Sequence, residues 1–322
     1  MAVGIEADDR DCEFVIHSHD EQLVDVGEVR MNYIRAGSPH SPALLLLPGQ
    51  TSSWWDYEAA IALLEGSFEV FAVDLRGQGR STWTPGRYTL DNVGNDLVRF
   101  IDRVIGRPAV VSGASSSGVI AAWLSAYSRP GQVRATICED SPLFSGEISP
   151  ACGPGLRQTV VDAIFESHAR WLGPQWSVGD WKRASDAIAQ AFPREVAHDA
   201  AFTLDSAGSS DHVPQNMVEY DPEWARAYRT GSASAACDHR HMLASAHAPM
   251  LYTHHFRRTY PPSGLFLGAA TEEQVEFTGQ LITDQGGQRF DYISLPDAHH
   301  SLHAAEPQQY VDILTTWLTE IS

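Results

Sequence analysis

Residues 108–124, PAVVSGASSSGVIAAWL, decide how this chain is read. A short apolar run, Ala109-Val110-Val111, stops at a cluster of small residues. A helical pattern with Val119, Ile120, Ala122, Trp123 and Leu124 follows at once. A strand turning directly into a helix with a serine at the corner is the arrangement of a nucleophile elbow. Small residues flank such a serine because the turn strains the backbone and leaves no room for larger side chains. The usual pattern, G-x-S-x-G, fits here in two registers. With Ser115 at the corner, Gly113 lies two before, Ser117 two after and Gly118 three after. With Ser116, Ala114 and Gly118 take the flanking places. Ser115 is preferred, because the strand then ends on Val111-Ser112-Gly113 and the helix begins immediately. A Ser/Gly loop closing an ordinary strand–helix unit is the plainer alternative.

Working outward, Ala43–Leu47 (ALLLL) is a continuous apolar strand of the kind buried on both faces of a parallel sheet. It ends at Pro48-Gly49-Gln50, and a helix is expected over about 55–64. Residues 69–75 (EVFAVDL) form another buried strand, followed by RGQGRS at 76–81. A helix with Leu90, Val93, Leu97, Ile101 and Val104 on one face leads into the elbow strand. Nearer the start, residues 6–13 are acidic and read as a loose terminus, and residues 14–16 and 23–35 suggest an antiparallel hairpin. Beyond the elbow, residues 133–138 (VRATIC) make the next strand, ending in Glu139-Asp140-Ser141-Pro142.

The pattern then changes. Residues 143–246 hold helical stretches, four tryptophans (Trp171, Trp176, Trp181, Trp224) and no strong buried strand. The sheet resumes at residues 249–252 and 290–295, and an amphipathic helix over about 307–321 closes the chain. Strands and helices alternating with short connections mean an α/β fold, a mostly parallel sheet covered on both faces. The expected division is a core of 1–142 and 247–322 with a helical cap at 143–246.

Length and composition bound the function. A chain of 322 residues with 43% hydrophobic content can bury a sizeable core. A formal net charge of −19 argues against nucleic acid and anionic membranes as partners and says little about a small neutral ligand. Residues 1–12 lack the basic and apolar regions of a secretory signal, and no apolar run reaches membrane length. Cys12, Cys138, Cys152 and Cys237 show no spacing suggestive of zinc or a disulfide framework. The expectation is a reduced, cytoplasmic protein, with a homo-oligomer permitted.

Four segments resemble the α/β-hydrolase family, and in the family's order of serine, acid and histidine. LLLLPGQTSSWW (44–55) is similar to its oxyanion turn, with Pro48 where many members have histidine. AVDLRGQGRS (72–81) resembles the turn after its fourth strand, GASSSG (113–118) its elbow, and LPDAHHSLH (295–303) the loop of its catalytic histidine. A narrower resemblance joins the elbow, CEDSP (138–142) and EYDPEWARAYR (219–229) to the zearalenone hydrolases, which open the macrocyclic ester of a fungal resorcylic lactone. The bacterial branch is matched through GQGRSTWTP (77–85), TLDN (89–92) and GNDLVRF (94–100).

A neutral serine needs a histidine to take its proton and return it to the leaving group. Of fourteen histidines, His239 and His241 beside Asp238 give only a weak metal pattern, and His254 and His255 read as packing or solvent-facing. Matching PDAHHSLH to the family's loop puts the base at His300, with His299 before it and His303 in the next turn. Many members carry the acid after the seventh strand, but LYTHHFRRTYPP (251–262) has no carboxylate. The zearalenone hydrolases place it at the end of the sixth strand. The register of CEDSP favours Asp140, with Glu139 the fallback, and Asp297 lies too close in sequence to His300. The resemblance implies oxyanion donors at the backbone N–H groups of Ser116 and Gln50. Trp224 matches a lid tryptophan whose flat face and N–H suit an aromatic, oxygen-bearing ligand, and Tyr228 shares that surface. Simple anchoring of a cap helix is the alternative for both.

The resemblance thus implies a Ser-His-Asp hydrolase of a carboxylic ester, a lactone of the zearalenone type, needing no metal or organic cofactor. Its rivals are a general esterase or carbon–carbon bond hydrolase, and a small-lactone receptor with little turnover. Epoxide-hydrolase and dehalogenase chemistry is disfavoured, because those members place an aspartate at the elbow.

Overall fold

A computed structural model of the chain describes residues 12–13, 17–144, 159–173, 179–191, 194, 196–197, 199, 213–261 and 263–322. Its centre is an eight-stranded sheet. In chain order the strands are β1 (Gln22–Asp25), β2 (Arg30–Ala36), β3 (Ala43–Leu47), β4 (Glu69–Val73), β5 (Ala109–Ala114), β6 (Val133–Glu139), β7 (Met250–His254) and β8 (Phe290–Ser294). They lie side by side as β1-β2-β4-β3-β5-β6-β7-β8. The β1–β2 hairpin and the β2–β4 pair are antiparallel, and every other pairing is parallel. The expected α/β-hydrolase architecture is therefore the one present.

The apolar strands alternate between two cores, as the two-residue period of a strand requires. Leu45, Leu47, Val111 and Val73 face one side, where helices α2 (Leu90–Phe100) and α3 (Ser116–Tyr127) bury Val93, Leu97, Ile120 and Leu124. Leu44, Leu46, Val110 and Val70 face the other, against Ile61 and Leu64 of helix α1 (Glu58–Leu64) and Leu314 and Trp317 of the C-terminal helix (Pro307–Glu320). Both faces of the central strands are dry, which is why ALLLL and EVFAV carry no polar alternation.

Between β6 and β7 the described residues are mainly helical: α4 (Thr159–Trp171), α5 (Trp181–Ala191) and α6 (Glu223–Thr230), with shorter helices Gln215–Val218 and His239–Ala244. Two pairings have no counterpart in the sequence pattern. Val213–Pro214 pairs in parallel with Cys12–Glu13, and Arg258–Tyr260 forms a small hairpin with Leu265–Leu267. The strand expected at 14–16 lies outside the described residues. Among the described residues no helix is long and apolar enough to cross a membrane.

Register brings four chain-distant turns to one edge. Gly113 sits opposite Leu47 on one side and Cys138 on the other, and Glu139 sits opposite Thr253. The C-terminal ends of β3, β5, β6 and β7 therefore finish level, the usual location for a ligand site in an open α/β sheet.

Candidate active site

Ser115 is the corner between β5 and α3. Its φ of 53° and ψ of −124° lie outside both strand and helix, and α3 begins at Ser116. Ser115 is half-buried, while Ala114 and Ser116 on either side are buried. The small neighbours are required. A Cβ on Gly113 would lie 2.1 Å from the Ser117 carbonyl oxygen, and one on Gly118 would lie 1.6 Å from Ser141 Oγ. The corner is fixed by the Ser115 amide donating to the Glu139 carbonyl at 2.8 Å and the Gly118 amide donating to the Ser115 carbonyl at 2.9 Å.

At the end of β6 the two candidate acids separate. Asp140 Oδ2 meets His300 Nδ1 at 2.6 Å. Asp140 Oδ1 accepts the backbone N–H of His255 at 3.0 Å. Glu139 instead receives His303, whose Nδ1 lies 2.9 and 2.8 Å from its two carboxylate oxygens. Burial alone would raise the Asp140 pKa, but the hydrogen bond with His300 and the charges of His255 and His300 outweigh it and hold the group below its usual value. His300 sits with a quarter of its side chain exposed, against 2% for Asp140, so the pair has a wet end and a dry end.

His255, read from sequence as packing or solvent-facing, is buried beside this pair. Its ring Nδ1 lies 2.7 Å from the His299 carbonyl and 3.1 Å from the His300 carbonyl, so it holds the loop that carries His300. His254 turns away, with Nε2 on the Ala270 carbonyl at 2.8 Å. His239 accepts the Phe144 N–H at 3.0 Å, and Asp238 caps its helix on the His241 N–H. Among the described residues no group of three or more His, Cys, Asp or Glu is arranged to hold a metal ion.

The turn after β3 runs beside the serine: a Cβ on Gly49 would lie 3.4 Å from Ser115 Cβ. Gln50 follows, its Oε1 accepting from the Tyr220 hydroxyl at 3.1 Å and its Nε2 lying 3.5 Å from the Tyr228 hydroxyl. Gln78, buried in the RGQGRS turn, braces it. With its amide turned as its neighbours require, Gln78 donates to the Gly49 and Ser52 carbonyls at 2.9 and 2.8 Å and accepts from Gln50 Nε2 at 3.0 Å. Sequence reasoning misses Gln78, because the family resemblance of this turn assigns its side chain no role.

Trp224 lies on α6. It is fully buried, and its Nε1–H donates to the Arg76 carbonyl at 2.7 Å, so that donor is committed to the protein. Its ring stacks on Tyr88 at 4.7 Å and on Tyr228 at 5.5 Å. Tyr228 is the half-buried member of the group and stacks on Phe165 of α4 at 5.2 Å. This packing favours the anchoring alternative for Trp224, and Tyr228 carries the surface onward to Gln50.

Backbone strain marks the same places. Among the described residues four non-glycine residues have positive φ: Thr51 (62°), Ser115 (53°), Asp140 (41°) and Phe144 (65°). The first three stand at the Gln50 turn, the serine corner and the acid. Such strain persists where surrounding structure over-determines the backbone, and it gathers at functional sites.

A parallel sheet that brings a strained serine, a histidine–aspartate pair and a third-strand turn to one edge is the architecture of the α/β hydrolases. The family model described as the alpha/beta hydrolase family matches residues 44–313, and the chain belongs to that family. Over 188 residues it is 29% identical to bifunctional epoxide hydrolase 2 of Sus scrofa, covering 58% of this chain and 32% of that protein. The chain thus spans about a third of that relative's length. It is 28% identical over 202 residues to 3-oxoadipate enol-lactonase 2 of Acinetobacter baylyi, covering 61% of this chain and 74% of that one. Among solved structures, the esterase RhEst1 from Rhodococcus sp. ECU1013 superposes with a TM-score of 0.68 at 18% identity, covering 95% of this chain and all of that one, a likeness of fold.

Proposed function

We propose that this chain is a serine hydrolase of carboxylic esters, acting through Ser115, His300 and Asp140 on the macrocyclic lactone of zearalenone or a related resorcylic acid lactone. The observation that carries the reading is the 2.6 Å contact between His300 and Asp140, made across 160 residues of chain beside the Ser115 corner. With Nδ1 held by Asp140, the base function falls to Nε2. His300 takes the Ser115 proton as Oγ attacks the ester carbonyl, and the backbone N–H groups of Ser116 and Gln50 receive the developing oxyanion. Collapse of the tetrahedral intermediate breaks the acyl–oxygen bond, and His300 gives its proton to the departing ring alcohol. Water, deprotonated by His300, then releases the acid from Ser115. For a resorcylic lactone the family resemblance implies that the opened acid can lose carbon dioxide. No metal or organic cofactor enters these steps.

The finer substrate assignment rests on the likeness of CEDSP, EYDPEWARAYR and the elbow to the zearalenone hydrolases, and on the aromatic group Phe165, Tyr220 and Tyr228 of the β6–β7 segment, whose two tyrosines reach Gln50. That segment, 143–246, acts as the cap over the core formed by 1–142 and 247–322. The enol-lactonase relative favours a second reading, a smaller lactone cleaved by the same groups. Epoxide opening of the usual kind calls for an aspartate at the position Ser115 occupies.

The test is chromatography with mass detection of zearalenone incubated with the protein and with Ser115→Ala. Loss of the lactone to a hydrolysed or decarboxylated product, abolished in the variant, is expected. Turnover surviving the substitution would move the nucleophile to Ser116. Cleavage of simple aryl esters with zearalenone untouched would remove the substrate and keep the triad, and turnover of neither would favour a receptor.

A further inference from the structure

The second carboxylate–histidine pair is as well made as the first, and the reaction above does not use it. His303 and Glu139 are both fully buried. Glu139 accepts the His303 backbone N–H at 3.0 Å as well as its ring N–H. On its other side, His303 Nε2 lies 3.3 Å from Asp56 Oδ2. The Tyr57 ring stacks on the imidazole at 3.9 Å, and Tyr310 meets it edge-on at 6.0 Å. Asp56 in turn accepts from Ser52 Oγ at 2.8 Å, and the Ser52 amide donates to the Gly49 carbonyl at 3.4 Å.

We propose that Glu139, His303 and Asp56 are positioning residues, a bridge buried at Glu139 and His303 and half-buried at Asp56, that ties the loop carrying His300 and the turn carrying Gln50 to the strand end behind Ser115. The proposal rests on the hydrolase reading above. Three separate segments meet in this bridge, and each contributes to the candidate site. Glu139 is its centre: its carbonyl holds the Ser115 amide, its side chain holds the histidine loop, and the next residue is Asp140. A buried ion pair adds little net stability compared with apolar packing of the same volume, so its value lies in fixed geometry. A directional bridge sets the distance between loop and turn, which an apolar contact cannot do. Occupation of Glu139 by His303 also leaves Asp140 as the carboxylate for His300.

Charge supports the geometry. Burial acts to lower the His303 pKa, but the Glu139 charge and the hydrogen bonds to Asp56 and Glu139 push it up to about 10. The other titratable groups around the bridge are Asp140 on β6, His255 after β7, Tyr57 beside α1 and Tyr310 on the C-terminal helix. His303 is thus a cation between two carboxylates at neutral pH.

The experiment compares His303→Gln, Asp56→Asn and His300→Ala with wild type on a 4-nitrophenyl ester, counting active sites with a fluorophosphonate. Misplacement of a catalytic group by about 1 Å costs roughly 10²-fold, so His303→Gln is expected to lose roughly 10- to 100-fold in kcat per titrated site with KM within about twofold. Asp56→Asn keeps the Glu139 contact and weakens only the arm to the Gln50 turn, and roughly a tenfold loss in kcat is expected. It carries the test if His303→Gln does not fold. A purely structural role would reduce the number of titratable sites and leave kcat per site at the wild-type value in both variants, which overturns the proposal. His303→Gln as inactive as His300→Ala, or more so, also overturns it, by making His303 the base. Failure of the hydrolase reading is distinct: wild type would then neither react with the fluorophosphonate nor cleave the ester.

Discussion

Asp140 divides its two carboxylate oxygens between His300 and the backbone N–H of His255, at 2.6 and 3.0 Å. This division makes Asp140→Asn an informative change. The amide oxygen keeps the bond to His255, which turns the amide nitrogen toward His300 Nδ1 and favours the wrong tautomer. We expect kcat for ester cleavage to fall by about 10⁴ with KM little changed. A loss of less than tenfold would mean that the acid lies elsewhere.

The elbow predicts a folding defect rather than a kinetic one. A Cβ on Gly113 would stand 2.1 Å from the Ser117 carbonyl oxygen, which is backbone and cannot step aside. Gly113→Ala should destabilise the protein by about 3 kcal/mol or more, at the upper end of overpacking effects. Urea unfolding followed by tryptophan fluorescence measures it, and a change under about 0.5 kcal/mol would contradict this turn.

Trp224 separates anchoring from ligand contact. Trp224→Phe keeps the stack on Tyr88 but strands the Arg76 carbonyl, at a cost of about 1–2 kcal/mol. Trp224→Ala, which also empties a fully buried site, should cost about 3–5 kcal/mol. Because no part of Trp224 is exposed, kcat/KM for a small aryl ester is expected to change less than about threefold per folded Trp224→Phe molecule. A larger drop would return Trp224 to direct substrate contact.

The buried histidine bridge sets an alkaline limit. His303 is raised from 6.5 to about 10, so its contribution to stability is complete below pH 6.5 and lost as pH rises through about 10. Glu139 and Asp56 are held below their usual values despite burial, so their contributions are present above those values and lost in acid. Asp74, pushed up to about 7 by burial, works the other way and makes stability fall as pH climbs toward 7. Between pH 7 and 9 His303 therefore governs, and the melting temperature should decline there in wild type. The decline should flatten in His303→Gln.

Much of this is legible in the residues and some is not, for a physical reason. ALLLL and EVFAV announce strands dry on both faces, and the crowding of Gly113 and Gly118 announces a sharp turn. The assignment of His300 and Asp140 comes from family resemblance, and the structure brings those two side chains into contact. His255, Gln78 and the Glu139–His303 pair stay hidden. Each acts through polar contacts between segments far apart in the chain, and such contacts leave no periodic trace. Trp224 shows the converse: its aromatic face can be read from sequence, but only coordinates reveal that its N–H is already committed to Arg76.

The Asp140 amide donates to the Thr253 carbonyl at 2.9 Å, pinning the acid at the end of β6 to the end of the neighbouring strand β7. The segment between these strands leaves the sheet after Asp140 and, because β6 and β7 run parallel, rejoins it at Met250, opposite Thr136 at the other edge. Its length and content can drift through evolution, or be exchanged in the laboratory, without lengthening the path between acid and base. A transplanted segment would have to leave β7 in place, joining the chain after Asp140 and before Met250 at opposite edges of the sheet.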